Sequence, residues 1–221
     1  MKSHYNMETI IRQGTVHGVN LKFKDLKSSG TVDCVFTELQ RDDYGLEQIT
    51  LSPDDVVIDI GANIGMFAIY VKKKFNCKVI AFEPVPLNFE HLKENIELNG
   101  LSLSDFELHN TAITDEDGGV IEIGTPEYNT GGSSIFHRCD VISKCPTERL
   151  SKYITPKSVY LKIDTEGGEY KIVPDILDQV NNFSYIGIEY HKFNSLQSPL
   201  ELHNLLKSTF KGIIFCQEPK I

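Results

Sequence analysis

"VVIDIGANIGMFAIYVKKKFNCKVIAFEP", residues 56–84, decides the reading of the fold. Residues 56–60 are aliphatic and mostly β-branched, as a strand buried on both faces requires. The run breaks at Gly61. Residues 65–75 then place Phe67, Ala68, Val71 and Phe75 near one face of a helix. Residues 78–84 return to a buried strand, which Pro84 ends. Strand, glycine turn, helix and strand make one unit of a parallel sheet.

The alternation continues outward. Residues 87–100 read as a helix with Phe89, Leu92 and Ile96 on one side and Asn99-Gly100 as its stop. Residues 105–113 read as a third strand and 119–125 as another. Residues 124–148 are the least regular stretch and read as a long excursion. Residues 159–167 and 185–191 are two further strands ending in polar residues. Between them, 169–177 is a helix that Pro174 kinks or divides. Residues 198–209 predict a last helix and 212–218 a last strand. Residues 1–54 show weaker periodicity and form an N-terminal extension of helices or short strands packing on the core, which is residues 55–221. Ligands of doubly wound sheets sit beyond the carboxyl ends of the strands, at the switch in strand order. Asp59, Glu83, Asp164, Glu189 and His191 are therefore expected to converge.

The loop "DIGANIG", residues 59–65, narrows the ligand. Gly61 and Gly65 permit a sharp turn and close backbone approach, and the loop feeds a helix N-terminus. A dinucleotide fingerprint has a second glycine where this chain has Asn63, and that glycine makes room for pyrophosphate. S-adenosylmethionine has no phosphate to admit. It needs partners for an amino acid end and an acid for its ribose, and Glu83 at the next strand's end supplies the acid. An NAD site uses the same acid, so Asn63 is what separates the two. A strand-to-helix turn with no ligand is the plain alternative.

These residues carry a family resemblance. The stretch 56–100 resembles the cofactor half of the FkbM-type methyltransferases, class I enzymes that use S-adenosylmethionine. "LKIDTEGGEYKIV", residues 161–173, resembles their second signature; "GGSSI" (131–135) and "PTERL" (146–150) belong to the same likeness. Ser151 and Gly168 depart from residues common in the family. The resemblance implies an α/β, doubly wound, Rossmann-like class I methyltransferase fold, mostly parallel, with a final antiparallel strand. It implies O-methylation of a small or glycan acceptor. Asp59, Gly61, Asn63 and Gly65 would face the methionine end, Glu83 the ribose, and Thr111 and Ala112 the adenine. An NAD-dependent dehydrogenase or epimerase, or a non-catalytic cofactor-binding module, are the competing readings.

Methyl transfer to a hydroxyl needs an oriented acceptor and a base. Asp164 is the first candidate for base or anchor, with Glu166 beside it. In an extended chain the two share a side. Capping of the following helix is the structural alternative for Asp164 and Glu166, and a first-turn position for Glu169. Glu189 and His191 share a strand face, and His191 could accept a proton near neutral pH. Asp164, Glu189 and His191 also have the chemistry of a divalent-metal site, although no metal is assigned. Ser133 and Ser134 are expected either to contact the acceptor or to form a plain glycine-serine turn, and Glu38 and Tyr44 of the N-terminal segment to cover the methionine end.

The net charge is −9. Binding to a phosphate backbone comes from Lys and Arg, so nucleic acid is a poor partner. The longest basic run, Lys72–Lys74, falls where a helix ends and suits its dipole. No apolar run reaches the roughly 20 residues of a bilayer span. The first residues lack the apolar core of a signal peptide, and a cytoplasmic location is expected. Five scattered cysteines without a C-x-x-C pair are expected to be reduced thiols.

Overall fold

The computed structural model describes residues 8–126, 130–136 and 141–216. Strands β1 (Thr9–Val16) and β2 (Val19–Leu26) form an antiparallel hairpin. Its turn holds His17 and Gly18 at positive φ, the backbone that a two-residue hairpin loop favours. Helix α1 (Thr31–Arg41) follows.

The central sheet contains β3 (Val56–Ile60), β4 (Lys78–Phe82), β5 (Phe106–His109), β9 (Ser158–Ile163), β10 (Tyr185–Ile188) and β11 (Ile213–Cys216). Their order is β11-β10-β9-β3-β4-β5, and each neighbouring pair is parallel. The chain runs outward from β3 to β5, then resumes at β9 on the other side of β3. The switch point lies between β3 and β9, where Gly61 and Asp164 leave the sheet.

Helices α2 (Met66–Phe75) and α3 (Pro86–Leu98) cover one face, together with the hairpin and α1. Val57, Val79 and Tyr160 pack there against Phe67, Leu92 and Phe23. Helices α4 (Glu169–Asp175) and α5 (Pro199–Thr209) cover the other face, where Ile58, Ile60 and Ile163 meet Ile172, Val173 and Leu206. Pro86 occupies the first turn of α3, where its missing N–H leaves no bond unmade. Ser198 caps α5 by accepting from Glu201 N–H. Pro174 lies in the last turn of α4, which stops at Asp175. Lys72–Lys74 occupy the last turn of α2.

Four expectations change. Residues 105–113 are two strands in different sheets. Asn110 turns inward after β5, and its side-chain amide donates to the carbonyls of Glu83 and Pro84 at 2.8 and 3.0 Å. The chain therefore leaves the central sheet, and β6 (Ala112–Ile113) pairs elsewhere. The excursion of 124–148 contains an eight-residue strand, β8 (Val141–Glu148), paired antiparallel with β7 (Val120–Thr125) and parallel with β6. The strands ending in Asp164 and Glu189 are shorter than their patterns suggest, closing at Ile163 and Ile188. The final strand runs parallel to β10, not antiparallel. Helix α5 carries the chain back across the sheet, and such a crossover delivers a parallel strand. Gln217 and Glu218 of the expected last strand, and Cys139, lie outside the described residues. The other four cysteines are free thiols.

Candidate functional site

Gly61 is where the loop meets β9. Its φ is +80°, and a Cβ there would stand 1.7 Å from the carbonyl oxygen of Asp164. Only glycine allows that approach. Asn63 also takes a left-handed backbone, φ +51°, which asparagine tolerates better than most residues. Gly65, φ +90°, caps α2 directly under Leu92. It does not line the cavity described below, so its work is helix packing.

The loop is tied to β4 through Glu83. One carboxylate oxygen accepts from Asn63 N–H at 2.8 Å and the other from Val85 N–H at 2.8 Å. Burial pushes its pKa up to about 7, against the pull of those two amides. Each oxygen keeps a lone pair, so the oriented group can also accept two neighbouring hydroxyls.

Asp59 and Lys162 are direct partners in the β3–β9 register. Both side chains are almost wholly buried, with Nζ 3.1 Å from Asp59 Oδ1. Lys162 also donates to Gly61 O at 3.0 Å and lies 3.4 Å from Asp164 Oδ2. The rings of Tyr44 and Phe67 lie 5.8 and 5.7 Å from its ammonium. Burial favours the neutral amine, but Asp59 and Asp164 outweigh it and raise the pKa. Burial likewise raises the Asp59 pKa, and Lys162 opposes it. Asp59 therefore braces the loop from behind the cavity wall.

Acidic residues gather at the carboxyl ends of β9 and β10. Tyr44 OH donates to Asp164 Oδ2 at 3.2 Å. Glu166 has φ +51°, so it does not continue the extended chain on which its shared side with Asp164 was argued. The two acids nevertheless line one cavity. His191 Nδ1 is 2.6 Å from Glu169 Oε1; its Nε2 lies 3.6 Å from Glu166 and 3.7 Å from Glu189. Burial works against charge on this imidazole, but the Glu169 hydrogen bond and the nearby Asp164 and Glu166 raise its pKa to about 10. At neutral pH His191 already carries its proton. Burial, with Asp164 and Glu189, takes Glu38 to about 7. Burial takes Glu166 to about 7 despite His191, and raises Glu189 as well.

One cavity joins these parts. Its wall includes Asn63, Glu83, Thr111, Ala112, Ser133 and, at the switch point, Asp164 and Glu166. The N-terminal residues contribute Thr31, Val35, Glu38 and Tyr44. Ser134 stands behind, donating to Glu166 O at 2.6 Å. Glu189 and His191 flank Asp164 and Glu166 without lining the cavity. Of the five strand-end residues, Asp164, Glu189 and His191 come together, Glu83 faces the cavity from β4, and Asp59 is buried behind it.

Lys162 was missed by pattern reading. Its signal was present: a lone charge inside the buried run "VYLKI" demands an opposite charge on a neighbouring strand. Asn88, 1% exposed and on the wall, carried no such signal. Its amide donates to Thr130 O at 3.1 Å, and its oxygen accepts nothing among the described residues.

The Methyltransferase FkbM domain model matches residues 59–211. The chain belongs to the FkbM methyltransferase family. Its domain is of the S-adenosylmethionine-dependent class. The wall fits that cofactor: Glu83 is oriented for a diol, and the side-chain oxygens of Asn63 and Asn88 lack the donors it would bring.

Among FkbM relatives, Methyltransferase 1 of Beauveria bassiana is 27% identical over 154 residues, covering 58% of this chain and 61% of that protein. Hexuronic acid methyltransferase AglP of Haloferax volcanii is 30% identical over 147 residues, 62% of this chain and 56% of AglP. The 31-O-demethyl-FK506 methyltransferase FkbM of Streptomyces tacrolimicus is 37% identical over 70 residues, 31% and 27% of the two chains. The match thus spans less than two thirds of each relative's length. Among the described residues no helix is long and apolar enough to cross a membrane.

Proposed function

We propose that this protein transfers a methyl group from S-adenosylmethionine to a hydroxyl of a small-molecule or saccharide acceptor. The observation that carries the reading is the single cavity shared by the Glu83–Asn63 loop and the acids Asp164 and Glu166. AglP is named for a hexuronic acid and the FK506 enzyme for a 31-O position, which supports a hydroxylated acceptor.

When bound, S-adenosylmethionine supplies a sulfonium methyl carbon open to attack by an acceptor oxygen. Glu83 would hold the ribose hydroxyls, and Thr111 and Ala112 would border the adenine. Gly61 and Asn63 would present backbone to the methionine end, with Asp59 and Lys162 bracing the loop. Asp164, held by Lys162 and Tyr44, anchors the acceptor hydroxyl. Glu166, with its pKa near neutral, takes the proton. His191, protonated and pinned by Glu169, orients Glu166 and stabilises its ionised form.

The test is transfer of labelled methyl to a panel of uronic acids, neutral sugars and hydroxylated macrolides. Glu166→Gln is expected to lower kcat by about 10²–10⁴ while leaving S-adenosylhomocysteine affinity within a factor of two. Full activity of Glu166→Gln would remove it as the base. Tight binding of NAD in place of S-adenosylhomocysteine would sink the cofactor assignment.

A further inference from the structure

We propose that Asp164, Glu189 and His191 hold one divalent cation at the acceptor edge of the cavity. Each offers a ligand atom, and the three atoms lie within 4.8 Å of one another. They come from the ends of adjacent parallel strands, β9 and β10, so the sheet itself sets their spacing. Two carboxylates and an imidazole suit Mn²⁺ and neighbouring divalent ions. Three protein ligands leave positions open for water and an acceptor oxygen.

A separate observation points the same way. Glu169, on α4, is 0% exposed, and its Oε1 lies 2.6 Å from His191 Nδ1. Its second oxygen has no hydrogen-bond partner among the described residues. A buried carboxylate on the far nitrogen of a histidine fixes the ring and raises the basicity of the near one, as behind metal-bound histidines. Here it turns Nε2 toward Glu189 and Glu166, at 3.7 and 3.6 Å. Neither contact is a good hydrogen bond, and a cation between these groups would satisfy them. The cation takes the place of the proton on Nε2.

The consequence for chemistry rests on the methyltransferase reading. A cation beside Asp164 would bind the acceptor hydroxyl and make its proton easier to remove, with Glu166 adjacent to accept it. The binding of the cation does not rest on that reading, and the two are separable by experiment.

The probe is MnCl₂ titrated into the full chain, followed by electron paramagnetic resonance and by calorimetry, without cofactor. One Mn²⁺ per chain is expected. Glu189→Ala and His191→Ala should each weaken it by at least about tenfold, and Glu169→Gln, through the ring, by about 10–100-fold. Lys144→Ala, far from the cluster, should leave it unchanged. S-adenosylhomocysteine binding is measured on the same samples. Glu83→Ala should lose it and keep Mn²⁺; Glu189→Ala should show the reverse. That cross-pattern also certifies that each variant is folded. Absence of Mn²⁺ binding in the native chain overturns the proposal, as does binding indifferent to both Glu189→Ala and His191→Ala. Loss of S-adenosylhomocysteine binding in the native chain, with Mn²⁺ retained, would sink the cofactor reading and leave the cation site standing.

Discussion

A lysine inside "VYLKI" has nowhere to place its charge except against a neighbouring strand. Asp59 meets it across the β3–β9 register, with both groups nearly sealed from water. The pair need not add net stability, but breaking it leaves one buried charge uncompensated. Lys162→Met is therefore expected to destabilise the fold by about 3–5 kcal/mol, and Asp59→Asn in the same chain to recover much of that loss. Urea denaturation of the single and double variants decides it; additive losses would mean that the two groups are not coupled. Glu83 gives a second prediction at this scale. Its pKa stands near 7 because burial disfavours the ion. The neutral form supports the fold below the ordinary carboxylate range, and that support is lost as pH rises through about 7. Ligand binding has the opposite sign, because hydroxyls donate best to the ionised group. S-adenosylhomocysteine should bind up to about tenfold more tightly per pH unit between pH 6 and 7, then level off. Calorimetry across that range checks it, and Glu83→Gln should flatten the profile. Of these residues, Glu83 was legible because a strand-end acid after a glycine loop is a local pattern. Lys162 was legible only by asking where its countercharge sits. The protonated state of His191 was not legible, since the acids that set it, Asp164, Glu166 and Glu169, lie more than twenty residues earlier in the chain.

At the scale of elements, the strands with two buried faces announced themselves. β3 and β4 are runs of buried, mostly apolar residues, and the helix between them, α2, ends at a left-handed Asn76. β8 did not, because "VISKCPTE" mixes Lys, Pro and Thr into a strand with one face open. Its partner β7 pairs Val120 with Pro146, a residue that donates no backbone bond. The direction of β11 was likewise hidden: a four-residue strand reads the same either way, and only the crossover through α5 fixes it. The β3–α2 loop makes a sharper test. Gly61 and Gly100 both have positive φ, but a Cβ at Gly100 meets nothing within 4 Å, while one at Gly61 strikes the Asp164 carbonyl. Gly100→Ala should cost about 1–2 kcal/mol, the backbone penalty alone. Gly61→Ala should cost more than that and abolish S-adenosylhomocysteine binding, because the loop must move away from β9. Equal melting points for the two variants would show that the close approach at the switch point does not matter.

The whole molecule enters through the cavity, whose wall no single segment builds. The N-terminal helix gives Thr31, Val35 and Glu38; the loop after it gives Tyr44. The β3 and β4 ends, β6, Thr130, Gly131, Ser133 and Ile135, the β9 end and side chains of α2, α3, β7 and α4 line the rest. A ligand filling this space touches segments more than a hundred residues apart and should stabilise them together. At 100 times its Kd a ligand binding only the folded state contributes about 2.7 kcal/mol. For a chain of this size that corresponds to a rise of about 5–10 °C in Tm. The same ligand should slow amide exchange in α1, in the 61–65 loop and beyond Ile163 in concert. The outer turn of the β1–β2 hairpin, at His17 and Gly18, should be unaffected. Slowed exchange confined to the loop and Glu83 would mean that the N-terminal residues cover the core without closing the site. Concerted slowing in α1 and at Asp164 would mean that cofactor binding itself completes the acceptor wall, because Glu38 and Tyr44 meet Asp164 only when all three segments are in place.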